Sequence, residues 1–157
     1  MSGLTFTHRH DGVVRAIAAV ARSYSVAVTH EPKMYAYETG EANRPDLVLH
    51  LLPPIAIDVT IVCSDTESRK EVKDAAQEKR KKHEGAVTRL GHAFIPFAMD
   101  VHGYRDPSCF QFADAVSRQL PIHLQRSFRF DLAHAVSRAL AVKRAETILG
   151  VALRRCY

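Results

Sequence analysis

The chain has 157 residues, of which 46% are hydrophobic and 25% are charged, as in ordinary folded domains. It contains no apolar run long enough to span a membrane and no signal-peptide layout, and its three cysteines are scattered singly. We therefore expect one domain over residues 1–157, with its core over about residues 10–120, in a reducing intracellular compartment and without a membrane partner.

The first third of the chain predicts a helix and then a strand. Residues 12–22 have an apolar stripe with helical spacing, and Asp11 can cap this helix. Residues 24–29 read as a strand, and a loop over residues 33–43 follows. Glu31, at the end of this strand, is a candidate third acid for a metal site, although an ordinary strand-end glutamate is the more common case.

The central part of the chain predicts two strands, over residues 46–52 and 55–63, separated by Pro53 and Pro54. Side chains alternate along a strand, so the second strand has one bulky face and one small face. The bulky face consists of Ile55, Ile57, Val59 and Ile61. The small face contains a single carboxylate, that of Asp58.

The carboxylate of Asp58 needs a partner in this strand. Burying an unpaired carboxylate is costly, so it normally finds a cation, a hydrogen-bond donor or a metal ion. A symmetric turn at the two prolines places Asp58 opposite Leu49, and bringing it to Asp46 requires an asymmetric turn or a bulge. The alternative is that Asp46 is a turn residue and that Asp58 pairs with an arginine or a lysine.

The next segment, residues 67–85, has the composition of a strong helix. At about 100° per residue, Lys79 falls on the stripe where an amphipathic helix has apolar residues. Lys82 lies at the edge of that stripe, and Lys81 points the opposite way. Lys79 is therefore the partner that we expect for Asp58, with Lys82 as the second candidate.

The remaining elements complete an α/β fold. Residues 94–101 read as a strand, and Pro96 favours a position at the edge of the sheet or at the start of the strand. Two helices follow, over residues 107–120 and 128–155. We expect an N-terminal helix, a mixed sheet of about four strands, a central helix on one face of the sheet, and two C-terminal helices.

Three motifs resemble the PD-(D/E)XK nuclease superfamily. They are RPD at residues 44–46, DVT at residues 58–60, and KRKKH at residues 79–83. More narrowly, they resemble the restriction-enzyme-like endonuclease domain of site-specific non-LTR retrotransposons, in which a lysine comes from the helix after the second acid. Thr60 stands where restriction enzymes have the lysine of D-x-K, and His83 stands where the retrotransposon domain has a tyrosine.

The resemblance implies a restriction-endonuclease-like core and a DNA endonuclease that depends on Mg²⁺ or Mn²⁺ and nicks its target. The implied catalytic residues are Asp46, Asp58, Lys79 and Lys82. The candidate metal ligands are Asp46, Asp58, Glu31 and the backbone carbonyl of Val59, since hard cations prefer oxygen ligands.

The implied partner is DNA, in the nucleus, together with either a reverse-transcriptase module or a second copy of the chain. Residues 126–157, a helical extension in this interpretation, carry the whole net charge of +5, which suits contact with phosphates or a solvated helix face. Two alternatives remain. In the first, the chain is a catalytically silent nucleic-acid-binding module of the same fold. In the second, it is a protein-interaction domain whose terminal helix docks on a larger protein.

Overall fold

The computed structural model describes residues 4–33, 44–63 and 69–154, with side chains described from residue 9 to residue 141 of these ranges. Four helices and four strands lie in this part of the chain. In chain order they are α1 (Leu4–Ser23), β1 (Val28–His30), β2 (Leu47–Leu49), β3 (Ile55–Val62), α2 (Lys70–Arg89), β4 (Ala93–Asp100), α3 (Pro107–Ser117) and α4 (Ile122–Arg154).

The four strands form one mixed sheet in the order β1-β2-β3-β4. Both β1–β2 and β2–β3 are antiparallel, whereas β3 and β4 are parallel because α2 crosses between them. Pro96 lies in β4, which is an edge strand, where a residue without an N–H group is tolerated. This architecture confirms the expected α/β fold. Among the described helices, none combines the length and the apolar character needed to cross a membrane.

The ends of several elements differ from those that the sequence predicts. The first strand begins at Val28 rather than at residue 24, because α1 runs to Ser23 and a turn at residues 24 and 25 follows it. Ser25 adopts a positive φ of 62°, and the Val26 N–H donates to the Ala21 carbonyl at 3.0 Å, which closes the helix. The loop predicted over residues 33–43 lies, apart from Lys33, outside the described residues.

The main core lies between the sheet and three of the helices. As the alternation predicts, Ile55, Ile57 and Val59 point from β3 into this core, where α1, α3 and α4 cover them. Phe128 of α4 is fully buried in the same cluster, so this helix is an integral part of the core. Burying each such side chain contributes about 1.5–3 kcal/mol to folding.

The opposite face of the sheet is covered by α2 alone among the described helices. Val72 and Ala76 pack on Ala98, and Val87 packs with Ala56 of β3. The small side chains on this face allow the helix to approach closely. As a result, the inward side of α2 lies directly over the strand that carries Asp58.

Candidate functional site

The pairing of β2 with β3 brings the two candidate acids together. Leu47 pairs with Ile57 in an antiparallel register, so the next pair outward is Asp46 with Asp58. Side chains that lie directly opposite on antiparallel strands have Cβ atoms about 4.5–5.5 Å apart. Two carboxyl groups therefore meet at the end of the short strand β2.

The turn between the two strands produces this register. The connection covers residues 50–54, and its centre is Leu52 rather than the Pro53-Pro54 pair. Leu49 accordingly pairs with Ile55 rather than with Asp58, so the turn is the asymmetric one that the meeting of the two acids requires. The asymmetric turn therefore places Asp46 opposite Asp58 without a bulge.

Asp46 is held by a backbone amide and by a histidine. Its Oδ2 accepts a hydrogen bond from the Val59 N–H at 2.6 Å and one from His10 Nε2 at 3.0 Å. His10 lies near the start of α1, and its Nδ1 lies 3.2 Å from Asp11 Oδ1. The orientation of the Asp46 carboxyl is therefore fixed by groups from two different elements.

The electrostatics of this pair follow from its burial. Burial raises the pKa of Asp46, and the neighbouring charge of Asp58 raises it further against the effect of His10. The hydrogen bond to Asp46 raises the pKa of His10 to about 9. His10 consequently carries a positive charge at neutral pH and balances part of the negative charge of the two acids.

Asp58 is buried, with 4% of its surface exposed, and it faces α2. Its Oδ2 lies 2.8 Å from Lys79 Nζ and 3.0 Å from His83 Nε2. Residues four positions apart share a helix face, which is why Lys79 and His83 reach the same oxygen atom. The His83 ring packs against Phe94, with 5.5 Å between ring centroids.

The pKa of Asp58 lies well below its usual range. Burial acts to raise it, but hydrogen bonding with His83, Asp46 and Lys79 outweighs that effect. Asp58 is therefore ionised at neutral pH, next to a second acid whose pKa is raised. Two adjacent carboxyl groups with shifts in opposite directions are a common feature of functional sites.

Two polar atoms of this cluster lie close together without a well-formed hydrogen bond. Asp58 Oδ2 and His83 Nε2 are buried, and despite their short separation neither makes a hydrogen bond of good angle within the described residues. Facing carboxylates are the kind of oxygen ligand that Mg²⁺ or Mn²⁺ prefers, although Asp58 Oδ2 already lies 2.8 Å from the Lys79 ammonium. No group of three or more His, Cys, Asp or Glu side chains within the described ranges is arranged to hold a metal. The metal would therefore need ligands beyond Asp46 and Asp58, such as a backbone carbonyl or water.

The other candidate residues lie at different distances from this cluster. Lys82 is exposed on α2, away from the contact that Lys79 makes. The Glu31 side chain is 72% exposed and pairs with Arg44 at 3.7 Å, but it lines a surface cavity of about 250 Å³ together with Asp46. Val59 contributes its backbone N–H group to the cluster, and this group donates a hydrogen bond to Asp46.

Sequence reasoning had not selected the two histidines of the cluster. His83 lies four residues after Lys79 and therefore on the same stripe of the central helix. This position is a signal that it faces the sheet. His10 contacts Asp46 across 36 residues of sequence, and no local pattern reveals such a contact. Asp100, at the end of β4, is also buried and accepts hydrogen bonds from the His102 and Tyr104 amides, both at 2.8 Å.

Comparisons with known proteins do not assign this chain to a family. A scan against models of protein families finds no match. A search of curated proteins likewise finds no significant match. The interpretation of the site therefore depends on its geometry and on the three motifs that supply its residues.

Proposed function

We propose that the protein is a metal-dependent endonuclease of the PD-(D/E)XK type that hydrolyses phosphodiester bonds in DNA. The observation that carries this proposal is the meeting of Asp46, Asp58 and Lys79 in one buried cluster. Each of the three comes from a different motif, namely RPD, DVT and KRKKH. A helix, three strands, a second helix and a fourth strand parallel to the third hold them together, which is the α/β order of elements expected from the sequence.

Each residue has a defined role in this proposal. Asp46 and Asp58 would hold Mg²⁺ or Mn²⁺, and the carbonyl of Val59 and Glu31 are the candidates for further oxygen ligands. Such a cation polarises the phosphate and lowers the pKa of a bound water molecule. Lys79 stabilises the negative charge that develops on the phosphate as a water oxygen bonds to phosphorus and the alcohol oxygen leaves.

The two histidines act as positioning residues. His10 orients the Asp46 carboxyl through the 3.0 Å contact with Nε2, and His83 orients the Asp58 carboxyl from α2. Groups that orient metal ligands in this way strongly affect metal affinity and activity. Neither histidine needs to touch the substrate.

The charge around the cluster supports a polyanionic substrate. Lys81 and Lys82 are exposed on α2, outside the face on which Lys79 meets Asp58, and the partly exposed Arg80 pairs with Glu84 at 3.5 Å. Exposed lysines on the helix that covers the two carboxylates attract phosphates that the carboxylates alone would repel. DNA is the substrate class that agrees with the motifs, and nicking of a target by a retrotransposon-type enzyme is the reaction that we propose.

A catalytically silent DNA-binding module is the second candidate function. The observation that favours it is the 2.8 Å ion pair between Lys79 and Asp58, because a lysine that neutralises this carboxylate competes with a cation. A role of α4 in docking through its apolar stripe is less well supported. Within the described residues of that stripe, Leu132, Val136 and Leu140 are buried in the core of the domain itself.

A plasmid-nicking assay separates these functions. Supercoiled DNA is incubated with the protein in Mg²⁺, Mn²⁺ or EDTA, and open-circle product is measured by gel electrophoresis. We expect cation-dependent nicking that Asp58→Asn abolishes and that the exposed-site control Asp74→Asn preserves. Full nicking by Asp58→Asn would overturn the assignment. DNA retention in a gel shift without nicking by the wild type would favour the silent module.

A further inference from the structure

The exposed side of α4 carries an aromatic pair between two arginines. Arg126, Phe130, His134 and Arg138 follow one another at intervals of four residues, and all four are exposed. At a rise of 1.5 Å per residue, successive side chains of this α4 ladder stand about 6 Å apart along the helix. The ladder shares no residue with the Asp46–Asp58 cluster.

The ring of Phe130 is exposed and lies parallel to a neighbouring histidine ring. Its side chain is 70% exposed, an unusual state for a large apolar group on a helix that packs in a core. The His134 ring stacks against it, with an angle of 4° between the ring planes and 6.2 Å between the centroids. The two rings are therefore offset, and the largely exposed phenyl ring keeps a π surface available to a flat ligand.

The arginines of the ladder are available for phosphates. Neither Arg126 nor Arg138 forms an ion pair with an acid among the described residues, whereas the neighbouring Arg129 lies 3.2 Å from Asp114. Asp131, which is the acid of this stretch of α4, accepts a hydrogen bond from the Tyr24 hydroxyl. The ladder therefore has a positive charge at each end and an aromatic surface in the middle.

We propose that the α4 ladder binds a single-stranded segment of nucleic acid. A base stacks on Phe130, and phosphates of the same strand contact Arg126 and Arg138, which lie about 18 Å apart along the helix. Aromatic platforms in a basic setting bind single strands because every unpaired base presents a π face, whereas the bases of a duplex are already stacked on each other. This inference rests on the proposed function only in that it takes a nucleic acid as the ligand.

Fluorescence anisotropy in EDTA, where metal-dependent cleavage does not occur, tests this binding. The probes are a labelled oligothymidine and a blunt duplex of the same length. We expect Phe130→Ala to weaken binding of the single strand at least fivefold and to change duplex binding less than twofold. Because Phe130 is largely exposed, the variant should melt like the wild type, which circular dichroism checks.

Two further variants distinguish stacking from apolar contact and from general effects. Phe130→Leu keeps an apolar side chain without a π face and should lose binding as Phe130→Ala does, whereas Phe130→Tyr should retain it. Leu52→Ala removes another exposed apolar side chain, on the turn between β2 and β3, and should leave affinity unchanged.

Three results would overturn the proposal. They are no measurable binding of the single strand by the wild type, unchanged affinity in Phe130→Ala, and an equal loss for single strand and duplex. A protein partner would then be the better candidate for this surface. Failure of nicking with retained selectivity for the single strand would instead count only against the nuclease assignment.

Discussion

Replacing Lys79 by methionine tests the ion pair at the centre of the site. Methionine keeps most of the aliphatic stem and removes the charge that lies 2.8 Å from Asp58 Oδ2. Lys82→Met is the matched control, since it makes the same change one turn later on the same helix at an exposed position. We expect a large effect at position 79 and a small one at position 82.

The expected magnitude follows from the geometry. Two unit charges separated by 2.8 Å attract each other by about 6 kcal/mol at an effective dielectric constant of about 20. Desolvation of the two groups and ordering of the lysine offset more than half of this attraction. We therefore expect Lys79→Met to lower the free energy of unfolding by about 2–3 kcal/mol at pH 7, and Lys82→Met to change it by less than about 0.5 kcal/mol.

The pH dependence provides a second readout. A carboxyl group whose pKa is depressed by folding stabilises the protein above its unfolded pKa of about 3.9, and this stability is lost as the pH falls through the lower, folded pKa. Without Lys79, the folded pKa of Asp58 is expected to rise. The difference in stability between wild type and variant should therefore be largest at neutral pH and shrink at acid pH.

Urea unfolding followed by circular dichroism at pH 7, 5 and 3 measures both effects. With a typical slope of about 1–3 kcal/mol per molar urea, the expected loss moves the midpoint of Lys79→Met by about 0.7–3 M. Equal midpoint shifts for Lys79→Met and Lys82→Met would refute this reasoning. So would a loss in Lys79→Met that does not change with pH.

Three further predictions concern other parts of the molecule. Folding raises the pKa of His10 to about 9. The contribution of charged His10 to the stability of the fold is therefore fully present below about pH 6.5 and is lost as the pH rises through about 9. In urea unfolding, His10→Gln should lower the free energy of unfolding by about 1–2 kcal/mol at pH 6 and by little at pH 10. The value at pH 6 is discounted for solvent screening because the His10 side chain is 31% exposed. In thermal melts, 10 mM Mg²⁺ should stabilise the wild type by about 1.4 kcal/mol for a Kd of about 1 mM but not stabilise Asp46→Asn. Phe128→Ala should cost about 3–5 kcal/mol in urea, because Phe128 is buried with its ring edge-on to Tyr24 at 5.3 Å.

The sequence predicts the elements and faces of this fold well, because local patterns encode them. The alternation along β3 identifies which side chains enter the core, and Pro96 identifies an edge strand. The end of α1 is predicted less well. The turn at Ser25 requires a left-handed backbone conformation, and serine is not the residue that usually signals one.

The candidate site could be predicted only in part. The acids and Lys79 could be selected because each is a polar residue in an otherwise apolar pattern. The pairing of Asp46 with Asp58 could not be derived, since a turn centred on Leu52 instead of the prolines shifts the register. Register depends on turn geometry, which the composition of the turn does not determine.

The most direct test of the proposed centre is diffraction from crystals soaked in millimolar Mn²⁺, recorded where manganese scatters anomalously. We predict an anomalous peak between Asp46 and Asp58, at about 2–2.5 Å from a carboxylate oxygen of each residue, as oxygen ligands of such cations require. The peak should be absent from crystals of Asp58→Asn. Wild-type crystals without manganese at this position, soaked at a concentration that supports nicking in solution, would contradict the proposal.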